Sequence, residues 1–148
     1  MTINNAFIEQ QIISAVRFLL TGRVNEILRE MEFAIPIIEF GDYGCASAVA
    51  PAITLSTCER TEKERIIRLD AYSLSITFNL QETPESELHC YAYSAAVVKA
   101  LGEDTTLGGL ADRAVVTGKK YAQPKKPHCG EGWGVVTLLR ITVEGMRK

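Results

Sequence analysis

Two histidine-cysteine pairs, His89-Cys90 and His128-Cys129, have side chains that could bind a metal or attack a substrate. Adjacent residues on a helix point about 100° apart, so His89 and Cys90 cannot easily share one metal ion. No Cys-x-x-Cys accompanies them. A nucleophilic cysteine needs surroundings that stabilise its thiolate, and the sequence displays none. We therefore expect free thiols, no metal and no cofactor.

Two glycine clusters, Gly108-Gly109 and Gly130-Glu131-Gly132-Trp133-Gly134, resemble phosphate-binding loops in composition. Neither leads into a clear helix start with a following Lys-Ser or Lys-Thr, which phosphate-binding loops require. Turns explain both clusters better. The carboxylates alternate with basic or loop residues and form no defensible acid/base pair. The sequence therefore predicts no catalytic site.

The basic residues concentrate near the prolines of a late loop, at Lys119, Lys120, Lys125 and Lys126. They could contact nucleic acid or an acidic protein face, although a solvated loop is the simpler interpretation. The formal net charge of −2 and a pI near 5.7 disfavour general nucleic-acid binding. No apolar run approaches the ~20 residues that span a bilayer, and the first residues lack the layout of a secretory signal. We expect one domain in a cytoplasm.

A long strand followed by a helix is the element around which the rest should be organised. From Tyr72 to Leu80 apolar and polar residues alternate, which predicts a strand with one buried face. Thr83 and Pro84 then predict the start of a helix, and Gly102 its end. We expect its apolar stripe to cover the strand; the stripe comprises Leu88, Tyr91, Ala92, Ala95, Val98 and Leu101.

The first half of this strand has the opposite alternation, since Ile67 and Leu69 are apolar while Arg68 and Asp70 are polar. Either a bulge lies near Asp70-Ala71, or the first half leaves the main sheet, and we favour the second interpretation. The preceding residues 59–65 are almost all charged, which predicts the solvated tip of a hairpin. In this hairpin residues 52–62 form the strand that pairs with the long strand after the tip.

The remaining segments complete an α+β pattern. The pattern predicts a helix over residues 6–21, with Asn4 or Asn5 as its N-cap and Gly22 placed to stop it, followed by a second short helix. An edge strand over 34–40 and a long loop over 41–51 should precede the hairpin. Strands over 113–123 and 133–144 should form a terminal hairpin, the last strand covered on both faces. The predicted fold is a mostly antiparallel β-sheet with helices packed on one side and a projecting β-hairpin.

The sequence resembles the tail terminator, or tail-completion, proteins of long-tailed bacteriophages and prophages. Four segments carry the resemblance: Leu69 to Tyr72, Tyr91 to Leu101, Asp104 to Asp112 and Thr137 to Val143. It implies an α+β fold without catalysis that assembles as a hexameric ring on the tail tube. The implied partners are further copies of the chain, the tail tube protein and the head-tail connector protein. The implied location is the host cytoplasm during assembly and then the virion tail.

Within this interpretation the charged hairpin is expected to contact a neighbouring subunit. Its candidate interface residues are Arg60, Lys63, Arg65, Ile67 and Leu69, and the four lysines above are candidates for contact with the tube or neck. The alternative is a small cytosolic ligand-binding domain or enzyme that uses the glycine-rich loop around His128-Cys129.

Overall fold

A four-stranded antiparallel sheet with helices beside it organises the fold. The computed structural model describes residues 7–40, 48–63, 67–81, 83–123 and 132–146, and only the backbone at positions 48, 62, 63, 67, 68, 145 and 146. In chain order the elements are α1 (Ile8–Leu19), a π-helical turn (Leu20–Val24), α2 (Asn25–Arg29), β1 (Ile37–Ile38), β2 (Ala48–Val49), β3 (Ala52–Lys63), β4 (Ile67–Asn79), α3 (Ser86–Glu103), β5 (Arg113–Ala122) and β6 (Gly134–Met146).

The sheet has the strand order β3-β4-β6-β5 and confirms the predicted α+β class. Both predicted hairpins are present, with β3 antiparallel to β4 and β5 antiparallel to β6. The chain crosses from β4 through α3 to β5 and then returns between them as β6. Strands β3 and β5 therefore form the two edges of the sheet.

The alternation along β4 places one face of the sheet in the core, as predicted. Tyr72, Leu74, Ile76 and Phe78 are at most 4% exposed. The intervening residues on the other face, such as Ser75, are only half-buried. The helices pack on the first face, because their buried side chains join these strand residues in one hydrophobic cluster. This burial removes apolar surface from water and is the main stabilising term of the fold.

The inverted alternation in the first half of β4 is caused neither by a bulge near Asp70-Ala71 nor by departure of the strand from the sheet. The pairing of β4 with β3 and β6 continues without a shift from Ile67 past Asp70, so no bulge lies there and the strand does not leave the sheet. The register shift lies instead in β3, between Leu55 and Thr57. Buried Asp70 remains on the helix-side face because it is paired with Arg60 at 3.0 Å. A neutralised charge thus occupies the position where the apolar alternation fails.

The helix α3 begins two residues after the predicted Pro84 and extends one residue beyond Gly102. Thr83 contributes to its start, because its hydroxyl accepts a hydrogen bond from the Glu85 backbone N–H at 3.3 Å. The ring of Tyr93 stacks on that of Phe78, with centroids 4.5 Å apart. The contact between strand and helix was predicted, and so was Phe78 on the strand side, but Tyr93 on the helix side was not.

The predicted stripe of α3 is largely wrong. Ala92 and Leu101 are buried, but Leu88, Tyr91 and Val98 are 48%, 42% and 39% exposed. The buried face is instead formed mainly by Cys90, Tyr93, Ala96, Val97 and Ala100. A substitution of Tyr91 by Asp should therefore leave the chain folded, whereas Ile76→Asp would place a charge at a position with no exposure.

The first helical segment does not end at Gly22. It continues through the π-helical turn into α2, so the two predicted helices form one continuous helical segment. Gly22 keeps a negative φ, which differs from the left-handed conformation that ends many helices. The predicted caps Asn4 and Asn5 lie outside the described residues; the backbone N–H of Phe7 donates to Gln10 Oε1 at 3.4 Å.

The predicted edge strand over 34–40 is limited to β1, which pairs in parallel with β2. The side chain of Asn25 holds β1 against the helices. Its Nδ2 donates to the Ile38 carbonyl and its Oδ1 accepts from the Ile38 N–H, both at 2.8 Å. Most of the predicted loop over 41–51 lies outside the described residues.

The outer face of the sheet is open in the described part of the chain, contrary to the expectation for the last strand. On the helix side of β6, Val135, Leu139 and Ile141 are at most 2% exposed. On the other side Val136 and Leu138 are only half-buried. Flanking strands, rather than a second layer, give them this partial cover. Among the described helices, none is long and apolar enough to cross a membrane.

Candidate functional site

The hairpin of β3 and β4 extends beyond the hydrophobic core. From Cys58 to Thr61, β3 is exposed, and the buried hydrophobic residues of β4 begin at Ala71, next to buried Asp70. The backbone pairing continues to Lys63 opposite Ile67, so the described part of the hairpin is paired to its end. Strand β6 pairs with β4 along the same length, to Met146 opposite Ile67, so β3 is the exposed edge of three strands that continue past the core. Such an edge is suited to contact another molecule.

The candidate interface residues have different surroundings. The side chain of Arg60 is 62% exposed and its Nε donates to Asp70 Oδ1 at 3.0 Å. Half-buried Leu69 lies opposite Thr61 and Glu144. Lys63 and Ile67 are described by their backbones only, and Arg65 lies outside the described residues. Arg60 therefore supports the hairpin itself and is only partly available to a partner.

The basic residues do not form a single described patch. Lys119 and Lys120 are both exposed on edge strand β5, but as neighbours on a strand they point to opposite faces. Lys119 is opposite Thr137 on the helix side, and Lys120 is opposite Val136 on the open face. The predicted Lys125 and Lys126 lie outside the described residues.

The first histidine-cysteine pair has a structural role. His89 Nε2 lies 3.2 Å from the Ala34 carbonyl oxygen, and its ring stacks on Phe33 at 6.3 Å. Cys90 is fully buried, and burial raises the pKa of its thiol to about 11, so it stays protonated at neutral pH. Within the described ranges no cluster of three or more His, Cys, Asp and Glu could hold a metal. The second pair, His128-Cys129, lies outside these ranges.

The loop at Gly108-Gly109 forms a turn that is closed by its own side chains. Leu107, Gly108 and Gly109 have positive φ values of 52°, 72° and 92°. The Gly108 N–H donates to Asp104 Oδ2 at 2.9 Å, and the Gly109 N–H donates to Thr106 Oγ1 at 3.1 Å. These donors are not free to bind phosphate.

One glycine of the second cluster allows two backbone segments to meet. A Cβ built on Gly132 would lie 1.5 Å from the Leu80 carbonyl oxygen. Nearby, the Leu80 N–H donates to the Trp133 carbonyl at 2.8 Å. Close backbone approach therefore explains Gly132 without a ligand.

An ion-pair network connects the π-helical turn to the end of α3. Arg23 Nε and Nη2 donate to the two carboxylate oxygens of Glu103 at 2.6 and 3.0 Å, and Glu26 and Glu30 lie within 3.5 Å. The Arg23 guanidinium holds the pKa of Glu103 below its ordinary value, and Glu103 in turn raises the pKa of Arg23. The pair borders an open apolar pocket of about 450 Å³ between α1 and α3.

The exposed stripe on α3 was wrongly assigned to the buried face because α3 is apolar on most of its circumference. Cys90, Tyr93 and Val97 form one apolar series and Leu88, Tyr91 and Val98 another, so helical spacing alone does not distinguish the buried series. Tyr121 on β5 enlarges the exposed series, since its ring meets that of Tyr91 edge-on at 5.5 Å. The sequence feature that could have indicated a second contact surface is the presence of apolar residues on every side of the helix.

Comparison with models of protein families found no match, and comparison with curated proteins found none either.

Proposed function

We propose that this chain is a structural protein of a phage or prophage tail. It caps the tail tube as an oligomeric ring, ends tail polymerisation and provides the surface for joining the head. Its partners are further copies of itself, the tail tube protein and the head-tail connector protein. The proposal assigns it no catalysis and no cofactor.

The observation that carries the proposal is the hairpin that continues beyond the core. Its described end bears charges of both signs, with Glu59 and Arg60 exposed beside Thr61. Such a hairpin can contact a different surface on a neighbouring copy, which is the head-to-tail type of interface that closes rings. The sequence resemblance to tail terminators and the one-sided packing of helices on an antiparallel sheet support the same proposal.

The proposed subunit contact uses Arg60, Lys63, Arg65, Ile67 and Leu69. Contact with the tube or neck is assigned to the lysines, which are Lys119, Lys120, Lys125 and Lys126. Opposite charges across such interfaces favour encounter in the correct register and make assembly sensitive to salt. The histidine-cysteine loop offers a second function, but no observation within the described residues favours it.

The proposal is tested with the tail tube protein encoded nearest to this gene. That protein is polymerised with and without the purified chain, and the tubes are examined by negative-stain electron microscopy. We expect a ring at one end of each tube and shorter tubes as the chain concentration rises. Unchanged tube lengths and bare ends at saturating concentration would overturn the proposal, as would a gene neighbourhood without tail genes.

A further inference from the structure

The helix α3 presents an exposed apolar stripe, in which Tyr91 also contacts Tyr121 of β5 and donates its hydroxyl hydrogen to Glu87. Leu88, Tyr91 and Val98 are each more than a third exposed, and Ala95 between them is exposed as well. Their spacing of three, four and three residues places them along one line of the helix. The same spacing of apolar residues forms the seam between two packed helices in coiled coils.

The sizes of the side chains along this stripe make two antiparallel copies of the helix complementary to each other. When a second α3 is laid antiparallel, Leu88 of each copy meets Val98 of the other, and Tyr91 of each meets Ala95 of the other. A large ring then faces a small side chain, so the helices can approach closely. A parallel arrangement would instead oppose Tyr91 to Tyr91 and Ala95 to Ala95, leaving one crowded layer and one gap.

The charges on one flank of the stripe favour the same arrangement. Glu85 and Lys99 are exposed and almost four helical turns apart, so they lie on the same side of the seam. In the antiparallel pair, Lys99 of each copy lies beside Glu85 of the other. In a parallel pair this flank of each copy would lie on the opposite side of the seam from that of the other, and Glu85 and Lys99 would stand at opposite ends, so the two charges would not meet.

We propose that two copies of this chain associate through antiparallel α3 helices about a twofold axis. The surface comprises Leu88, Tyr91, Ala95 and Val98, flanked by Glu85 and Lys99. This contact is independent of the head-to-tail contact in the proposed ring, because a twofold contact uses the same surface on both copies. A single helix pair buries less than a standard interface of ~1,600 Å², so the dimer should dissociate on dilution.

The first experiment measures the association of the purified full chain by sedimentation equilibrium over a concentration series. We expect a monomer-dimer equilibrium that Ala95→Glu weakens at least tenfold, because it opposes a carboxylate to the partner's Tyr91. Phe18→Glu is the matched control, since Phe18 is 80% exposed on α1 and outside the stripe. A wild-type chain that stays monomeric at every concentration would overturn the proposal, and so would equal weakening by both variants.

The second experiment uses two single charge reversals, Glu85→Lys and Lys99→Glu. Each variant alone should dimerise more weakly than wild type, because each homodimer opposes like charges. Mixing the two should restore a one-to-one heterodimer, since both contacts then pair Lys with Glu. Circular dichroism and thermal melts confirm that each variant is folded. A parallel contact predicts no effect of Glu85→Lys, and failure of the mixture to restore association rejects the antiparallel pair.

Discussion

The side chain of Asn25 serves as a hydrogen-bond partner for Ile38 of β1, in addition to the pairing of β1 with β2. It satisfies both the N–H and the C=O of Ile38, and its Nδ2 also lies 3.2 Å from the Thr21 carbonyl oxygen in the π-helical turn. The residue is 3% exposed, so water cannot replace these bonds without opening the structure. An asparagine inside a helical segment gives no sequence signal for this role, which is why it was not predicted.

We expect Asn25→Leu to lower the free energy of unfolding by about 3 kcal/mol, because two buried backbone groups of Ile38 would lose their partners. Chemical denaturation measures this loss. Asn25→Asp is the comparison, since it keeps an acceptor for the Ile38 N–H but loses the donor to the Ile38 carbonyl. An unchanged denaturation midpoint for Asn25→Leu would show that the side chain does not hold β1.

A second buried polar residue gives the opposite prediction. The hydroxyl of Thr137 on β6 is fully buried and has no hydrogen-bond partner among the described residues. Thr137→Val keeps the shape and removes the unsatisfied hydroxyl, so we expect a gain of about 1 kcal/mol in the free energy of unfolding. Thr77→Val, on the open face of β4, is the control and should change stability little. A loss of stability in Thr137→Val alone would reveal a partner for the hydroxyl.

At the scale of elements, the sequence predicts strands more reliably than helix faces. Alternation along β4 identifies its buried side because a strand has only two faces and one is lined by Ser75 and Thr77. The helix α3 has apolar residues on most sides, so its orientation depends on which of them fit the sheet. The end predicted at Gly22 failed because a glycine permits the left-handed conformation without requiring it.

The parts of the candidate site that could be predicted are those fixed by the residue pattern along a single strand. Charge density and alternation predicted the hairpin, and the structure has its two paired strands, Ala52–Lys63 and Ile67–Asn79. The pairing of Arg60 with Asp70 depends on the register between two strands, which the bulge between Leu55 and Thr57 changes by one residue. No pattern along a single strand contains that information.

The ion pair between Arg23 and Glu103 connects two elements and should contribute stability that depends on pH. Because the folded pKa of Glu103 lies below its ordinary value of 4.5, the contribution is present above that value. It is lost as the pH falls through the lower folded pKa. We expect Glu103→Gln to reduce the drop in melting temperature across this acid range and to lower stability modestly at neutral pH, since the pair is exposed.

The measurement is a series of thermal melts from pH 7 down to about pH 2, with wild type and variant compared at each value. Glu32→Gln is the matched control, because Glu32 is exposed and forms no ion pair in the described residues. A parallel loss of melting temperature in wild type and Glu103→Gln would show that the Arg23 contact adds nothing to the folded state.

At the scale of the whole molecule, the two proposed contact surfaces differ in symmetry. In the proposed ring the hairpin makes a heterologous contact that continues from copy to copy, whereas in the proposed dimer the α3 stripe pairs with itself and joins two copies. These surfaces involve different residues, so variants of one should leave the other contact intact. The open face of the sheet, with half-buried Val136 and Leu138, also carries Leu69 of the hairpin and is separate from the α3 stripe.

The structure changes how the hairpin should be tested. Reversing Arg60 would place a new carboxylate beside Asp70, which is 5% exposed, and would damage the fold as well as the contact. The variant to use is Lys63→Glu with Arg65→Glu, leaving Arg60 in place. We expect this double variant to melt like wild type and to cap tail tubes more weakly, with a smaller response to added salt because the attractive charges are gone.

The control for the hairpin variant carries Arg29→Glu, a charge reversal at an exposed position of α2 away from the hairpin. Capping is scored by electron microscopy as the fraction of tubes that end in a ring, at several salt concentrations. The variant should need more protein than the control to cap half of the tubes, and its α3-mediated dimer should be unaffected. The double variant could instead cap tubes at the wild-type protein concentration and with the wild-type salt dependence. In that case these two hairpin charges do not contribute to the subunit contact. The contact would then have to be assigned to Leu69 and the paired strands of the hairpin.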